Sequence, residues 1–227
     1  MKYIAKRLLA LAGILLASSF AVFGGLYLAP GSPEQFLVQG RTVSAEVLAS
    51  IREQYNLDDP FLTRYVSWVG NALQGNFGQS LANRQEVADL LANRLPTTLW
   101  LTGLAAVLII VLGVGLGTVA GLRPGPLDNI ILFASNLGFA VPTFFAGLLL
   151  MSLFSVQLGW FPVFGSGSGE GIASRLTHLT LPALALALPS IAVVARITRT
   201  AVREERQSEH AQTARSRGVP ERVLIPR

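Results

Sequence analysis

Leu95–Leu122 reads LPTTLWLTGLAAVLIIVLGVGLGTVAGL, 28 residues without a charge between Arg94 and Arg123. At about 1.5 Å of rise per residue, a helix of this length exceeds the roughly 30 Å hydrocarbon core of a bilayer. Pro96 and Thr97 suit a first helical turn, where a missing N–H is harmless. Trp100 lies near that end, as an interfacial aromatic should. Gly113, Gly117 and Gly121 recur every four residues and share one helix face. Small residues at this spacing let a second helix approach closely, although glycine is also common in membrane helices generally. The sequence leaves both readings open.

Outward from this block lie three more. Leu8–Leu28, LLALAGILLASSFAVFGGLYL, belongs to an uncharged run between Arg7 and Glu34. It is too long for a signal peptide's apolar region, and Leu26-Tyr27-Leu28-Ala29-Pro30 is not a small-residue cleavage site. After Asp128 comes Ile130–Phe154, which contains Pro142 and should kink or break there. Leu179–Ile197 carries Pro182, which suits its first turn, and an interior Pro189 that a neighbouring helix must tolerate. Arg196 can snorkel to the headgroups. The expected fold is all-α, a polytopic membrane bundle of about four helices near 8–29, 96–121, 130–154 and 179–198.

Composition agrees. The chain is 51% hydrophobic and 14% charged, with mean hydropathy +0.51, whereas soluble domains are about 25% charged. Disorder is excluded for the same reason. With no Cys, disulfides and thiolate chemistry are excluded, and two distant histidines, His178 and His210, make a metal site unexpected. The membrane blocks contain no Asp, Glu or Lys, which an intramembrane enzyme would need. No catalytic residue, cofactor or enzyme activity is therefore expected.

The net charge of +5 has two readings, nucleic-acid binding or positive-inside bias. Position favours the second. Residues 1–7 carry three Lys/Arg, and residues 196–227 carry eight Arg against four Glu. Both ends should be cytoplasmic, which requires an even number of crossings. The C-terminal stretch has no aromatic for base stacking, and Glu204, Glu205, Glu209 and Glu221 among its arginines point to a mixed-charge protein contact. Loop 30–94, with five Arg and seven acids, belongs outside.

That loop should form a small helical cap on the outer membrane surface. Ser44 can cap a helix presenting Val47, Leu48, Ile51 and Tyr55. Asp59-Pro60 can start a second, with Phe61, Leu62, Tyr65, Val66, Val69 and Leu73 on one face. Gly75-Asn76-Phe77-Gly78 is a turn, and Val87, Leu90 and Leu91 form a third short face. Gly165–Gly171, GSGSGEG, fails the phosphate-loop spacing and reads as a flexible outside turn. Gly218 follows a helix-compatible stretch ending at Arg217 and suits a positive-φ cap.

Taken together, these pieces resemble the inner-membrane permease subunits of binding-protein-dependent ABC transporters, and among them the B-type subunit of the dipeptide/oligopeptide/nickel group. The matching pieces are Leu28-Ala29-Pro30-Gly31-Ser32-Pro33, Tyr55-Asn56-Leu57-Asp58-Asp59-Pro60, Gly75-Asn76-Phe77-Gly78-Gln79-Ser80 and Arg94-Leu95-Pro96-Thr97-Thr98-Leu99. Further along are Leu181-Pro182-Ala183-Leu184, Ala195-Arg196-Ile197-Thr198-Arg199 and Thr213-Ala214-Arg215-Ser216-Arg217-Gly218. The resemblance implies one permease domain over 1–227 that forms part of a translocation path for peptides or related small solutes. It places the chain in a bacterial or archaeal inner membrane, N-terminus inside. The partners implied are a second permease subunit, ATP-hydrolysing subunits, an extracytoplasmic solute-binding protein and membrane lipid, with no nucleic acid.

In this family a cytoplasmic E-A-A-x-x-x-G segment docks on the ATPase. Residues 199–227 would be that coupling segment, with Gln212, Thr213, Ala214, Arg215, Arg217 and Gly218 at its centre. Only Ala214 and Gly218 match the general motif, and the peptide-type T-A-R-x-K/R-G fits better. The family also implies two further helices, so this chain is expected to lack the last part of the pore wall and to transport nothing by itself. The alternative is a structural or signalling membrane protein whose basic tail binds a protein partner.

Overall fold

The computed structural model describes residues 2–28, 45–54, 57–80, 83 and 85–219. They fall into two compact units, 1–93 and 94–227. Among the described residues the elements are helices, apart from one antiparallel bridge between Gln79 and Glu86.

In the first unit α1 spans Lys2–Leu28, α2 Ala45–Gln54 and α3 Phe61–Leu73. Helix α1 is apolar all round and exposed along most of its length, which suits lipid and fails water. The aromatic side of α3 packs on it. Phe61, Tyr65 and Trp68 meet Phe20 and Phe23 at ring-centroid distances of 5.1–6.2 Å. The Tyr65 hydroxyl donates to the Leu16 carbonyl at 3.0 Å and meets Ser19 Oγ at 2.8 Å, so its polar tip is satisfied beside an apolar helix. The predicted stripe on α3 is thus split: Leu62, Val66 and Leu73 are exposed, while Trp68, outside that stripe, joins the contact. Helix α3 begins at Phe61 with Pro60 as its cap, one residue later than the sequence suggested. Ser44 and Tyr55, and the side chains of Val47 and Ile51, lie outside the described residues.

Gly75–Gly78 is a turn closed by Gly78 N–H donating to Asn76 Oδ1 at 3.0 Å. Val87 N–H then donates to Gly78 O at 2.9 Å and begins α4, Val87–Leu108. The helix therefore starts nine residues before Pro96, which sits in its interior. The bridge and this bond hold the chain ahead of Val87, and the helix carries Pro96 in its interior without ending there. The expected short third face of the loop, Val87, Leu90 and Leu91, is the first part of α4.

In the second unit α4 continues through a π-helical turn, Ile109–Val114, into α5, Gly115–Leu122. Then follow α6 Pro126–Ala140, α7 Thr143–Leu150 with a π-helical extension Met151–Gln157, α8 Ile172–Gln207 and α9 Glu209–Ser216. Helix α8 is the centre of the unit: the π turn, α5, α6, α7 and α9 all pack on it. It holds both Pro182 and Pro189 in its interior and begins well before Leu179. Its core is made of small residues. Ala183 and Ala187 are fully buried against Ala105 and Ile191, as expected where helices associate through close packing and not water exclusion.

Helices α4–α5 and α8 run parallel. Arg175 lies over the Trp100 ring, Ala105 packs on Ala183 and Ala187, Gly113 faces Val194, and Gly121 faces Val202. The chain between them must therefore return across the same thickness. It does so through α6 and α7, which break at Val141-Pro142 and bend by 109°. Val141 is extended, φ −78° and ψ 125°, because the residue before proline is driven out of the helical region. The return is visible along α8: Asp128 meets Arg203, Asn136 meets Arg196, and Gly147 approaches Ala185. The broken pair thus acts as one traverse, and with α1 four segments are long and apolar enough to cross a membrane.

Candidate functional site

The three glycines of α4–α5 lie where α8 passes closest. A Cβ built on Gly113 would lie 2.8 Å from Val194 Cγ1, one on Gly117 2.5 Å from Ala195 O, and one on Gly121 2.7 Å from Val202 Cβ. Gly115, between them, has nothing within 4 Å. One side of the helix is thus free of side chains where the backbone of α8 comes closest.

Just beyond this seam sits a charged clamp. Asp128, in the first turn of α6, is 4% exposed. Its carboxylate accepts from Arg199 Nε at 2.5 Å and Nη2 at 2.8 Å, a two-pronged contact, and from Arg203 Nη2 at 2.6 Å. Such planar, charge-assisted pairs are the strong ones. Arg206 Nη1 donates to the Leu122 carbonyl at 2.8 Å and satisfies the last turn of α5. Arg196 Nη2 donates to Asn136 Oδ1 at 2.8 Å. Arg196, Arg199, Arg203 and Arg206 follow at three- and four-residue steps, so one side of α8 ties α5 and α6 together. The clamp lies outside the residues that the sequence patterns single out. Its signal was present: Asp128 is the sole carboxylate between Asp89 and Glu170.

The stretch up to Arg217, helix-compatible in sequence, is broken at Ser208, with φ −62° and ψ 153°. The reason is local. Ser208 caps α9, its Oγ accepting from Ala211 N–H at 3.3 Å. Arg215 Nη1 reaches back to the Arg206 carbonyl at 2.8 Å, and Ala211 is buried against α8. At the other end Gly218 has φ +81°. Gly218 N–H donates to Arg215 O at 2.9 Å, and Val219 N–H to Ala214 O at 3.1 Å, the paired bonds of a Schellman cap. The six motif residues therefore divide. Gln212, Thr213, Arg217 and Gly218 are exposed, while Ala214 and Arg215 are turned partly inward. The next helix expected after Pro220 lies outside the described residues.

At the opposite end of α8 the glycine-rich turn is ordered against the helix. Gly167 is buried over the Ser174–Arg175 backbone, with no room for a Cβ. Glu170 Oε2 accepts from Ser174 Oγ at 2.7 Å, and His178 Nδ1 donates to Ser174 O at 2.8 Å. The turn has a defined shape against the first turns of α8. Among the described residues no cluster of His, Asp and Glu could hold a metal ion.

Apolar helices long enough to cross a membrane and a glycine seam between two of them define a polytopic membrane protein. Residues 113–225 match the model of the binding-protein-dependent transport system inner membrane component, and residues 1–102 match that of its N-terminal part. The chain is 35% identical over 218 residues to a probable peptide ABC transporter permease protein, y4tP, of Sinorhizobium fredii, covering 95% of this chain and 69% of that one. It is also 35% identical over 226 residues to the glutathione transport system permease protein GsiC of Escherichia coli, covering 99% of this chain and 71% of that one. GsiC of Shigella flexneri matches to the same extent. The chain belongs to the family of binding-protein-dependent ABC transporter permeases. It is a multi-pass transmembrane subunit of an ATP-driven importer, a kind of protein that works with ATPase and solute-binding subunits.

Proposed function

We propose that α9 is the part of the chain that engages the ATPase. The supporting observation is its build: capped at both ends, tethered to α8 through Arg215, and presenting Gln212, Thr213, Arg217 and Gly218 outward. A push on such a helix passes to α8 and, through the Asp128 clamp, to the broken pair α6–α7. Residues 1–7 and 196–227 lie in the cytoplasm and loop 30–94 outside, in keeping with their charge. The crossings are those near 8–29, 96–121, 130–154 and 179–198, and 199–227 is the coupling segment.

A second permease subunit completes the path, since the large apolar side chains exposed along α4–α7 need a partner or lipid. The cargo is a peptide or a related small solute, in keeping with the relatives named for peptide and glutathione transport. Hydrolysis belongs to the ATPase, nucleic acid is no partner, and the membrane is the inner membrane of a bacterial or archaeal cell. The test is Gly218→Val in the co-expressed transporter. A β-branched residue disfavours φ +81° by about 1 kcal/mol or more, so less ATPase should co-purify while membrane insertion is unchanged. Normal ATPase recovery would sink the assignment.

A further inference from the structure

Helix α3 in the first unit has three different sides. At about 100° of turn per residue, Phe61, Tyr65 and Trp68 point one way. Leu62, Val66, Val69 and Leu73 point about a right angle away, and Thr63, Ser67 and Asn71 occupy the remaining side. The aromatic side is covered by Phe20 and Phe23 of α1. The aliphatic side is bare: Leu62, Val66 and Leu73 are 64%, 66% and 85% exposed. Such a stripe is costly in water and calls for an apolar neighbour.

The place where α3 meets α1 decides what that neighbour is. The contacts fall on Ser19, Phe20 and Phe23, with the Phe61 ring against Gly24. Ser19 and Phe23 stand nine and five residues before Leu28, the end of α1. Those steps are about 14 and 8 Å along the helix axis, so α3 meets α1 within its membrane-crossing length. Amphipathic helices lying in a leaflet reach about 5–10 Å below its boundary, a matching depth. The contacts also orient α3. Tyr65, the aromatic nearest the bare stripe around the helix, reaches deepest, to Ser19 Oγ at 2.8 Å and the Leu16 carbonyl at 3.0 Å. Trp68, the aromatic farthest from the stripe, meets Phe23, closer to the end of α1. An indole at that shallower level suits the headgroup region. The bare stripe therefore points toward the middle of α1, and Ser67 and Asn71 point toward its C-terminal end. We infer that α3 lies in the membrane plane, sunk among the acyl chains of the leaflet at the C-terminal end of α1. Leu62, Val66 and Leu73 face the bilayer centre, and Thr63, Ser67 and Asn71 face the headgroups. The helix is thus immersed in the leaflet and does not rest on its surface, as a cap would. In the orientation proposed above this leaflet is the outer one, and the immersion itself rests only on α1 crossing the membrane.

The chain has no cysteine, so single spin labels can be placed without altering any other residue. The purified 227-residue chain, in phosphatidylcholine vesicles, carries a nitroxide on Val66→Cys, Leu73→Cys, Ser67→Cys or Asn71→Cys. A fifth label on Leu15→Cys, an exposed position near the middle of α1, calibrates the hydrocarbon. All five side chains are exposed, so the labels displace no packing, and far-ultraviolet circular dichroism checks the helix content of each variant. Power saturation reads collisions with oxygen, which concentrates in hydrocarbon, and with a water-soluble nickel chelate present on both sides. The oxygen-to-chelate ratio at Val66 and Leu73 should approach that at Leu15 and should be several-fold lower at Ser67 and Asn71. Three results would overturn the inference. Chelate access at Val66 and Leu73 with Leu15 shielded puts α3 in water while leaving α1 in the membrane. Shielding of Val66 and Leu73 from both agents seats protein, and not lipid, on the stripe. Chelate access at Leu15 removes α1 from the membrane, and the immersion of α3 falls with it.

Discussion

Replacing Gly117 by alanine adds one methyl group at the tightest point between α5 and α8. The new Cβ would lie 2.5 Å from Ala195 O, 2.6 Å from Thr198 Cβ and 3.0 Å from Ala195 Cα. Ordinary contact begins near 3.4 Å, so α8 must retreat by about 0.9 Å, and two of the three obstructing atoms are backbone that no rotamer change can move. Overpacking of this kind costs about 1–3 kcal/mol, and backbone obstruction puts it toward the upper end. Alanine recovers up to about 1 kcal/mol of helix propensity relative to glycine. A net loss of about 1–2 kcal/mol follows. Gly115→Ala is the matched control: two residues away in the same helix, it meets nothing within 4 Å and should gain the propensity alone. The two variants should therefore differ by about 2–3 kcal/mol with opposite signs. Reversible unfolding of each in mixed dodecyl sulfate micelles, followed by circular dichroism, measures this difference. If Gly117→Ala proves as stable as Gly115→Ala, the close seam between α5 and α8 is wrong.

Two further outcomes concern the charged clamp and the direction of the crossings. Asp128→Ala leaves Arg199 and Arg203 facing each other without their carboxylate; because those side chains are 19% and 32% exposed, the loss should be about 1–3 kcal/mol and smaller than for a fully buried pair. It should be read as a lowered melting temperature, and restoring packing with Asp128→Leu should not recover it fully, since the two cations remain. Single cysteines at Ser50, Gln79 and Ser168 should react with an impermeant reagent added outside, and one at Ser216 should not. Were α6–α7 to dip in and turn back instead of crossing, Ser168 would be protected and Ser216 labelled.

The four apolar blocks were legible because absence of charge over some twenty residues has few other meanings. The glycine side was legible as a periodicity, but not what it faced, since a four-residue repeat says nothing of partner or direction. The parallel run of α5 and α8 depends on contacts such as that of Gly121 with Val202, 81 residues apart in the chain. Helix limits at Pro96 and Pro182 differ from the expectation for one reason: proline most often occupies a first turn, whereas in a membrane bundle neighbouring helices support it deeper in. Pro142 behaved as expected because Val141 before it is extended. The clamp is hard to read from sequence because Asp128 borders an apolar block and its partners Arg199 and Arg203 stand 71 and 75 residues away. Ser208 likewise hid inside a polar stretch compatible with one long helix, where only the cap bond to Ala211 reveals the break.

The proposed contact of α9 with the ATPase runs through its outward side, Gln212, Thr213, Arg217 and Gly218. A photoreactive residue placed at Thr213, and in separate variants at Ala211 and Ser168, tests it directly in the assembled transporter. An adduct with the ATPase is expected from Thr213, none from the buried Ala211, and none from Ser168 at the other end of α8. An ATPase adduct from Ser168 with none from Thr213 would contradict it.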